Sequence, residues 1–454
     1  MQALSFYLSI GLLCVIIIAP LLRPPLALMS WVVMFPLEQV LQGLSTWFMS
    51  NSLLVNALVA LAVGLAALRT VLFRGEPVSS LWNYGSLASL LLVVFAGASI
   101  VWSADRPQAI EFVTDRGPYL FVVFFLLPLT LTNFQQLREV RWWICSLGIA
   151  VALALVASGV FRFYGARMVV VLGGANRGNP LAIAELGGTM FVLALMSRDV
   201  VRSSALLLLR ISAGVIGLGL IVLSGSRGQL IAVAISCFVC FPFAVPLKNP
   251  RVVISTMLGG LFGALIISIA LSVFVSAENV GRWSLMSIAM GSEDRLALVG
   301  RYFEVWIRLP LAWVIGVGTM SFYNLGGGLT GFVENIAVEI LIEEGIIAFA
   351  LFVSIWVVMG RRMVAGVRSM GVCSEDRIAL LMWLAITMFY LIVGLKSYCI
   401  WSAYPLWLCI AIMFKQFTWI PSMVDDEEKD SELADGAELE SELVHFGGQQ
   451  TRDM

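Results

Sequence analysis

Apolar residues fall in thirteen runs, most of them close to twenty residues long, with short polar gaps between: 3–20, 25–48, 53–69, 83–101, 118–132, 142–161, 180–197, 205–224, 229–246, 252–275, 336–358, 377–395 and 400–418. A helix of about 20 apolar residues matches the hydrocarbon thickness of a bilayer, and strands or amphipathic surface helices give other periods. The pattern therefore predicts an all-α polytopic membrane protein. The first two runs, separated by Pro20, Arg23, Pro24 and Pro25, read as two spans or as one hairpin, so the expected count is 12 or 13. No internal repeat is visible at any period, which weighs against the duplicated architectures common in transporters. The expected organisation is a transmembrane bundle over 1–275, a long loop with short amphipathic helices over 276–335, further transmembrane helices over 336–420, and a tail over 421–454.

Composition sharpens this picture. The chain is 60% hydrophobic and 13% charged, against roughly 25% charged in soluble domains. Its net charge of −1 hides a split. Removing the eleven acidic and two basic residues of the tail from the totals of 29 and 28 leaves 18 acidic against 26 basic, a net +8 on the membrane part. The tail is acidic, polar and poor in aromatics, which predicts disorder and a solubilising or interaction role. Nothing in the charge pattern points to nucleic acid. The seven cysteines sit mostly inside apolar runs, and Cys237-x-x-Cys240 reads as buried small residues. The only histidine, His445, is in the tail, so no Cys/His zinc site can form. The N-terminus lacks a basic leader and an A-x-A cleavage site, which predicts a retained first helix.

Basic residues in short loops set the expected orientation. Arg69 with Arg74, Arg138 with Arg141, Arg198 with Arg202, Lys248 with Arg251, and Arg361, Arg362 and Arg368 alternate correctly with the runs and mark a cytoplasmic face, which includes the tail. The opposite, outer face then carries WSADRPQAIEFVTDRG, FRFYGARMVVVLGGANRGNP, the GSRG turn (225–228 with Ser224) and 276–335. It holds ten arginines (Arg106, Arg116, Arg162, Arg167, Arg177, Arg227, Arg282, Arg295, Arg301, Arg308) but a single lysine, Lys396. Salt bridges to Asp105, Glu111, Asp115, Glu278, Glu293, Asp294 and Glu304, or lipid headgroups, account for such residues one at a time. As a set, planar guanidinium forks suit bidentate binding of phosphate.

Within 276–335, apolar positions at Leu296, Leu298, Val299, Phe303, Val305 and Trp306 predict an amphipathic surface helix over 294–309, its arginines Arg295, Arg301 and Arg308 available to a headgroup. Gly326–Gly328 is a hinge or lid candidate. Glu334 and Asn335 then stand at the mouth of the next apolar helix. Asn335 also suits a helix cap, and a carboxylate at a helix N-terminus is favoured by the dipole without any further role.

Separated elements of the chain resemble the O-antigen ligase/polymerase superfamily. SGSRGQL resembles its S-R-G element. Arg301 to Trp306 matches its R-x4-W, Gly316-Val317-Gly318 its G-x-G, and Glu334, Asn335, Glu343, Gly345, Ile346 and Ile347 its H-N…E-x-G-I block. ANRGNPLAIAELGG (175–188) is similar to the family's Gly-Asn-Pro stretch, and WSADRPQAI (102–110) to its first outer loop. The likeness spans about residues 80–360 and departs at one place: the family's histidine is Glu334 here.

The resemblance implies a GT-C-like membrane glycosyltransferase of the bacterial inner membrane. It takes glycan from an undecaprenyl-diphosphate carrier at the periplasmic face and passes it to an acceptor hydroxyl without metal or cofactor. Arg227 would grip the diphosphate, with Gly225 and Gly228 allowing close backbone approach. Arg301 would meet a second oxygen or the developing charge, and Glu334 would be general base in place of histidine. Arg177, Asn179, Arg295, Arg308 and Asn335 are expected to contact substrate. The missing histidine favours a polymerase of lipid-linked repeat units over a ligase to lipid A core or protein. Expected partners are the lipid-linked donor, the glycan acceptor, membrane lipids, and a chain-length regulator or flippase. A transporter of lipid-linked sugar is the alternative from another class, and it needs ionisable residues near the midplane, for which Glu38, Glu185 and Arg210 are the candidates. A non-catalytic scaffold leaves the ten outer arginines unexplained.

Overall fold

A computed structural model describes residues 2–164, 167–172, 178–197, 203–244, 296–297, 299–304, 306–321, 334–370 and 374–420. Helices dominate it: α1 (Gln2–Leu22), α2 (Leu26–Leu44), α3 (Ser52–Arg74), α4 (Tyr84–Ala98), α5 (Arg106–Phe121), α6 (Phe134–Ser158), α7 (Pro180–Met196), α8 (Ser204–Leu223), α9 (Arg227–Ala244), α10 (Pro310–Ile315), α11 (Ile336–Glu343), α12 (Gly345–Ser369), α13 (Glu375–Ser397) and α14 (Tyr404–Phe417). The chain is an all-α polytopic membrane protein. Nine described helices are long and apolar enough to span a bilayer, and α7, α9 and α14 are shorter apolar helices. Helices satisfy every backbone group internally, which hydrocarbon requires. Twelve of the thirteen expected runs correspond to these elements; run 252–275 and the tail lie outside the described residues. The N-terminal ambiguity is settled in favour of two full-length helices, α1 and α2, joined by a turn at Arg23–Pro25.

Three boundaries differ from expectation. The polar stretch read as an outer loop is helical: α5 starts at Arg106, capped by Asp105, whose carboxylate accepts from Gln108 N at 3.3 Å, and runs on in helical form to Leu129. Arg116 is therefore not in a loop but ten residues into a membrane helix, about 15 Å along its axis. FRFYGARMVV forms an antiparallel pair, β1 (Phe161–Tyr164) and β2 (Arg167–Val170), Phe161 opposite Val170. The expected run 336–358 is broken at Glu344, between α11 and α12.

In the largest apolar cluster of the described residues, α13 and α14 are buried on nearly every side. Small residues let helices close up: Gly187 of α7 and Gly217 of α8 lie so near each other's backbone that no Cβ fits at either.

Polar contacts sort the helix ends into two faces. On one, Arg23 pairs with Glu139 (3.9 Å), Arg138 with Glu375 (2.6 Å) and Asp376 (3.3 Å), and Lys415 with Glu76 (2.8 Å). Arg69 donates to the carbonyls of Leu21 and Leu22, Arg210 to Ala194 and Leu195, and Arg377 to Val367 and Phe243. Of these, Arg69 and Arg138 belong to the basic clusters that the sequence grouped on one face. The motif segments lie at the other ends of the same helices.

Candidate active site at the face opposite the basic loops

Two interlocking junctions hold the motif segments. In the first, the Gly316–Gly318 turn is wedged between the end of α4 and the break between α11 and α12. Val317 N donates to Ile342 O (3.0 Å), Gly318 N to Glu343 O (2.8 Å) and Met320 N to the Glu343 carboxylate (2.9 Å). Thr319 donates to the Glu344 carboxylate (2.7 Å) and accepts at its carbonyl from Ser103 (2.6 Å), while Ser321 Oγ accepts from Ala104 N (3.0 Å). Gly316 and Gly345, at φ +77° and +80°, face backbone atoms so closely that no side chain fits. Burial raises the carboxyl pKa of Glu339 and Glu344. Residues 299–304 are helical and dock here: Tyr302 is buried with Ala312, Val317 and Ile342, and Trp306 donates from its indole to Ala312 O (2.8 Å). Arg301 and Arg308 stand on the exposed side. The expected amphipathic helix is thus met in part, with Tyr302 as its anchor and Leu296 exposed rather than inward.

The second junction forms around the turn from Gly394 to Tyr404, between α13 and α14. Ile336, the first residue of α11, packs on Gly394, and Glu339 accepts from Ile400 N (3.1 Å). The Lys396 side chain lies across Gly228, the second residue of α9. The first turns of α7 and α14 share a cavity with Ser397 and Tyr398. N-termini of α7, α9, α11 and α14 thus converge on one short segment.

Arg227 opens α9, half-buried. The turn before it is packed rather than open: Ser224, Gly225 and Ser226 are buried, and Gly225 has φ +64°, which only a residue without Cβ adopts at ease. The surface of Gly228, expected to let a phosphate approach the backbone, carries the Lys396 side chain in this structure. The result is a second cation over the same helix end. Helix N-termini carry partial positive charge. Three of the first four N–H groups of α9 already bond to the turn, Arg227 N to Gly225 O (3.2 Å) and Gln229 N and Leu230 N to Ser226 O (3.1 and 3.2 Å). This helix end therefore offers an anion charge rather than open backbone donors.

Other predicted residues fall as follows. Asn335 caps α11, accepting from Ala337 N and Val338 N at 3.1 Å each. Asn179 caps α7, accepting from Leu181 N (2.9 Å), and also lines the cavity. Glu334 is exposed, with φ +53°. An L-residue pays roughly 1–2 kcal/mol for that conformation, and such outliers cluster at functional sites. Arg177, Arg295 and Gly326–Gly328 lie outside the described residues.

Sequence reasoning passed over Lys396, noted only as the lone outer lysine, and Gln229. Gln229 is 0% exposed and closes no hydrogen bond through either side-chain atom, directly under the Arg227 turn. It also placed Arg116 outside the membrane helices. The Asp105–Arg106–Pro107 start signal, a cap followed by proline in the first turn, could have corrected that. Compared with known proteins, the chain matches no family model and no curated protein.

Proposed function

We propose that this chain is a glycosyltransferase of the O-antigen ligase/polymerase type, joining undecaprenyl-diphosphate-linked repeat units of a bacterial surface polysaccharide at the periplasmic side of the inner membrane. One observation carries the reading: two cations, Arg227 and Lys396, sit at the positive end of α9. The dipole at that end favours an anion by about 0.3–1 kcal/mol, so a bound diphosphate is attracted by the helix end and by both cations together. The order of the motif segments supports it too, since elements from Trp102 to Ile347 meet in two adjoining junctions bridged by α11.

In the proposed step, the acceptor hydroxyl oxygen attacks the anomeric carbon of the lipid-linked glycan. The new C–O bond forms as the sugar–phosphate bond breaks, and its electron pair leaves on the diphosphate. Arg227, Lys396 and the positive end of α9 hold that charge, with exposed Arg301 as a further cation from the docked helix. The hydroxyl proton goes to Glu334. Glutamate in place of the family's histidine favours polymerase over ligase. A second reading, transport of lipid-linked sugar, draws on Arg116, Glu185 and Glu38 inside membrane helices, where ionisable residues mark pathways.

The test is purified protein with a synthetic undecaprenyl-diphosphate repeat unit, products resolved by length. A ladder from wild type, reduced a hundredfold or more in Arg227→Ala and little restored in Arg227→Lys, is expected. No ladder, with movement of the same lipid across a vesicle bilayer, would favour the transporter instead.

A further inference from the structure

A cavity of about 200 Å³ lies between α2, α5, α7, α13 and α14, with Asn179 at its exposed rim. The volume is below the roughly 300–1,000 Å³ of drug-sized ligand sites, so the occupant is small. One wall is aromatic: Tyr404 stacks on Tyr119 (5.9 Å, 26°) and packs against Phe35 (5.0 Å) and Trp31 (6.4 Å). The other wall is polar, with Glu185, Tyr398 and Arg116.

Two groups in this lining lack hydrogen-bond partners and a third has only a poorly aligned one. The indole N–H of Trp31 and of Trp383 close no hydrogen bond, although the side chains are 3% and 2% exposed. The hydroxyl of Tyr398, 7% exposed, is directed at the Glu185 carboxyl without closing a bond of good geometry. A buried donor left unmade costs about 1–3 kcal/mol, and two around one cavity are a feature that packing alone would remove. The occupant must therefore present several acceptors and at least one donor around its edge, and an apolar face to the aromatic wall. A pyranose ring has that form: C–H bonds across its face, and hydroxyls, each both donor and acceptor, around its rim.

We infer that this cavity is a subsite for one sugar residue of the acceptor glycan, held by Glu185 and Tyr398 against Tyr404. The inference rests on the glycosyl-transfer reading for the name of its ligand, but binding is measured without turnover. The experiment uses the full chain in lipid nanodiscs and a fixed panel of methyl glycosides (glucose, galactose, mannose, rhamnose, N-acetylglucosamine, N-acetylgalactosamine), read by saturation-transfer NMR. At least one glycoside should bind wild type, with affinity falling about tenfold or more in Glu185→Gln and in Tyr398→Phe, and vanish in Ala182→Trp, which fills the cavity. Thermal melts accompany each variant, and Tyr398→Phe, the loss of one oxygen, serves if the others fail to fold. No binding by any glycoside, or equal binding by wild type and Tyr398→Phe, overturns the subsite. Wild type that polymerises yet fails this test keeps the transferase reading and loses the subsite. Glycoside binding without any transfer keeps the subsite and loses the enzyme.

Discussion

The two faces of this bundle use the same residue types in opposite ways. On the basic face, cations meet carboxylates or the carbonyls of helix C-termini: Arg69 reaches the end of α1, Arg210 the end of α7 and Arg377 the ends of α9 and α12. Both arrangements are electrostatically downhill. On the opposite face, Arg227 and Lys396 gather at a helix N-terminus, where the dipole opposes a cation. Charge on the first face follows the dipoles, and charge on the second runs against one; under the proposed function the second serves an anion.

The largest effect should come from the basic face. Lys415 is 0% exposed, paired with Glu76 and donating to Pro128 O at 2.7 Å. Lys415→Ala leaves Glu76 as a charge without its partner, and should cost about 3–5 kcal/mol, read as a lower melting temperature in detergent. Activity per folded molecule should not change. A normal melt would erase the contrast between faces.

Next is Glu334→Gln, which keeps size and removes basicity. Transfer should fall about a hundredfold, while the melting temperature holds and the lipid-linked donor still binds. Glu334→His, the family's residue, should retain part of the turnover. Full transfer by a well-folded Glu334→Gln would leave catalysis to leaving-group stabilisation alone.

The smallest effect belongs to Asn335→Ala. Its carboxamide accepts from two N–H groups at the start of α11, so its loss should cost about 1 kcal/mol of stability. Donor binding should weaken little. A loss of turnover far beyond that of unfolding would promote Asn335 from cap to substrate contact.

The membrane helices were legible because hydrocarbon imposes a local rule, one apolar run for each span. The start of α5 was not, because residues 106–117 keep a polar composition inside a helix that lines a cavity. The break in the expected 336–358 run is marked locally by Glu343, Glu344 and Gly345, which has φ +80°, and the Gly316–Gly318 turn that braces it is a contact sequence does not show. At the site, Arg227 stood out as a lone charge between two apolar runs. Lys396 did not, since a lysine in the last turn of a helix is ordinary and its reach to Gly228 spans 168 positions of chain. Asn335, read as cap or substrate contact, and Asn179, read for binding, both serve as caps.

The central claim is that Arg227, Lys396 and the α9 N-terminus form a diphosphate site. Binding of farnesyl diphosphate to the purified full chain, measured at fixed ionic strength, tests it directly. Arg227→Ala should raise the dissociation constant tenfold or more, and Arg138→Ala, an equal charge removed from the basic face, should leave it unchanged. Equal weakening by both variants, or none by Arg227→Ala, would contradict the account.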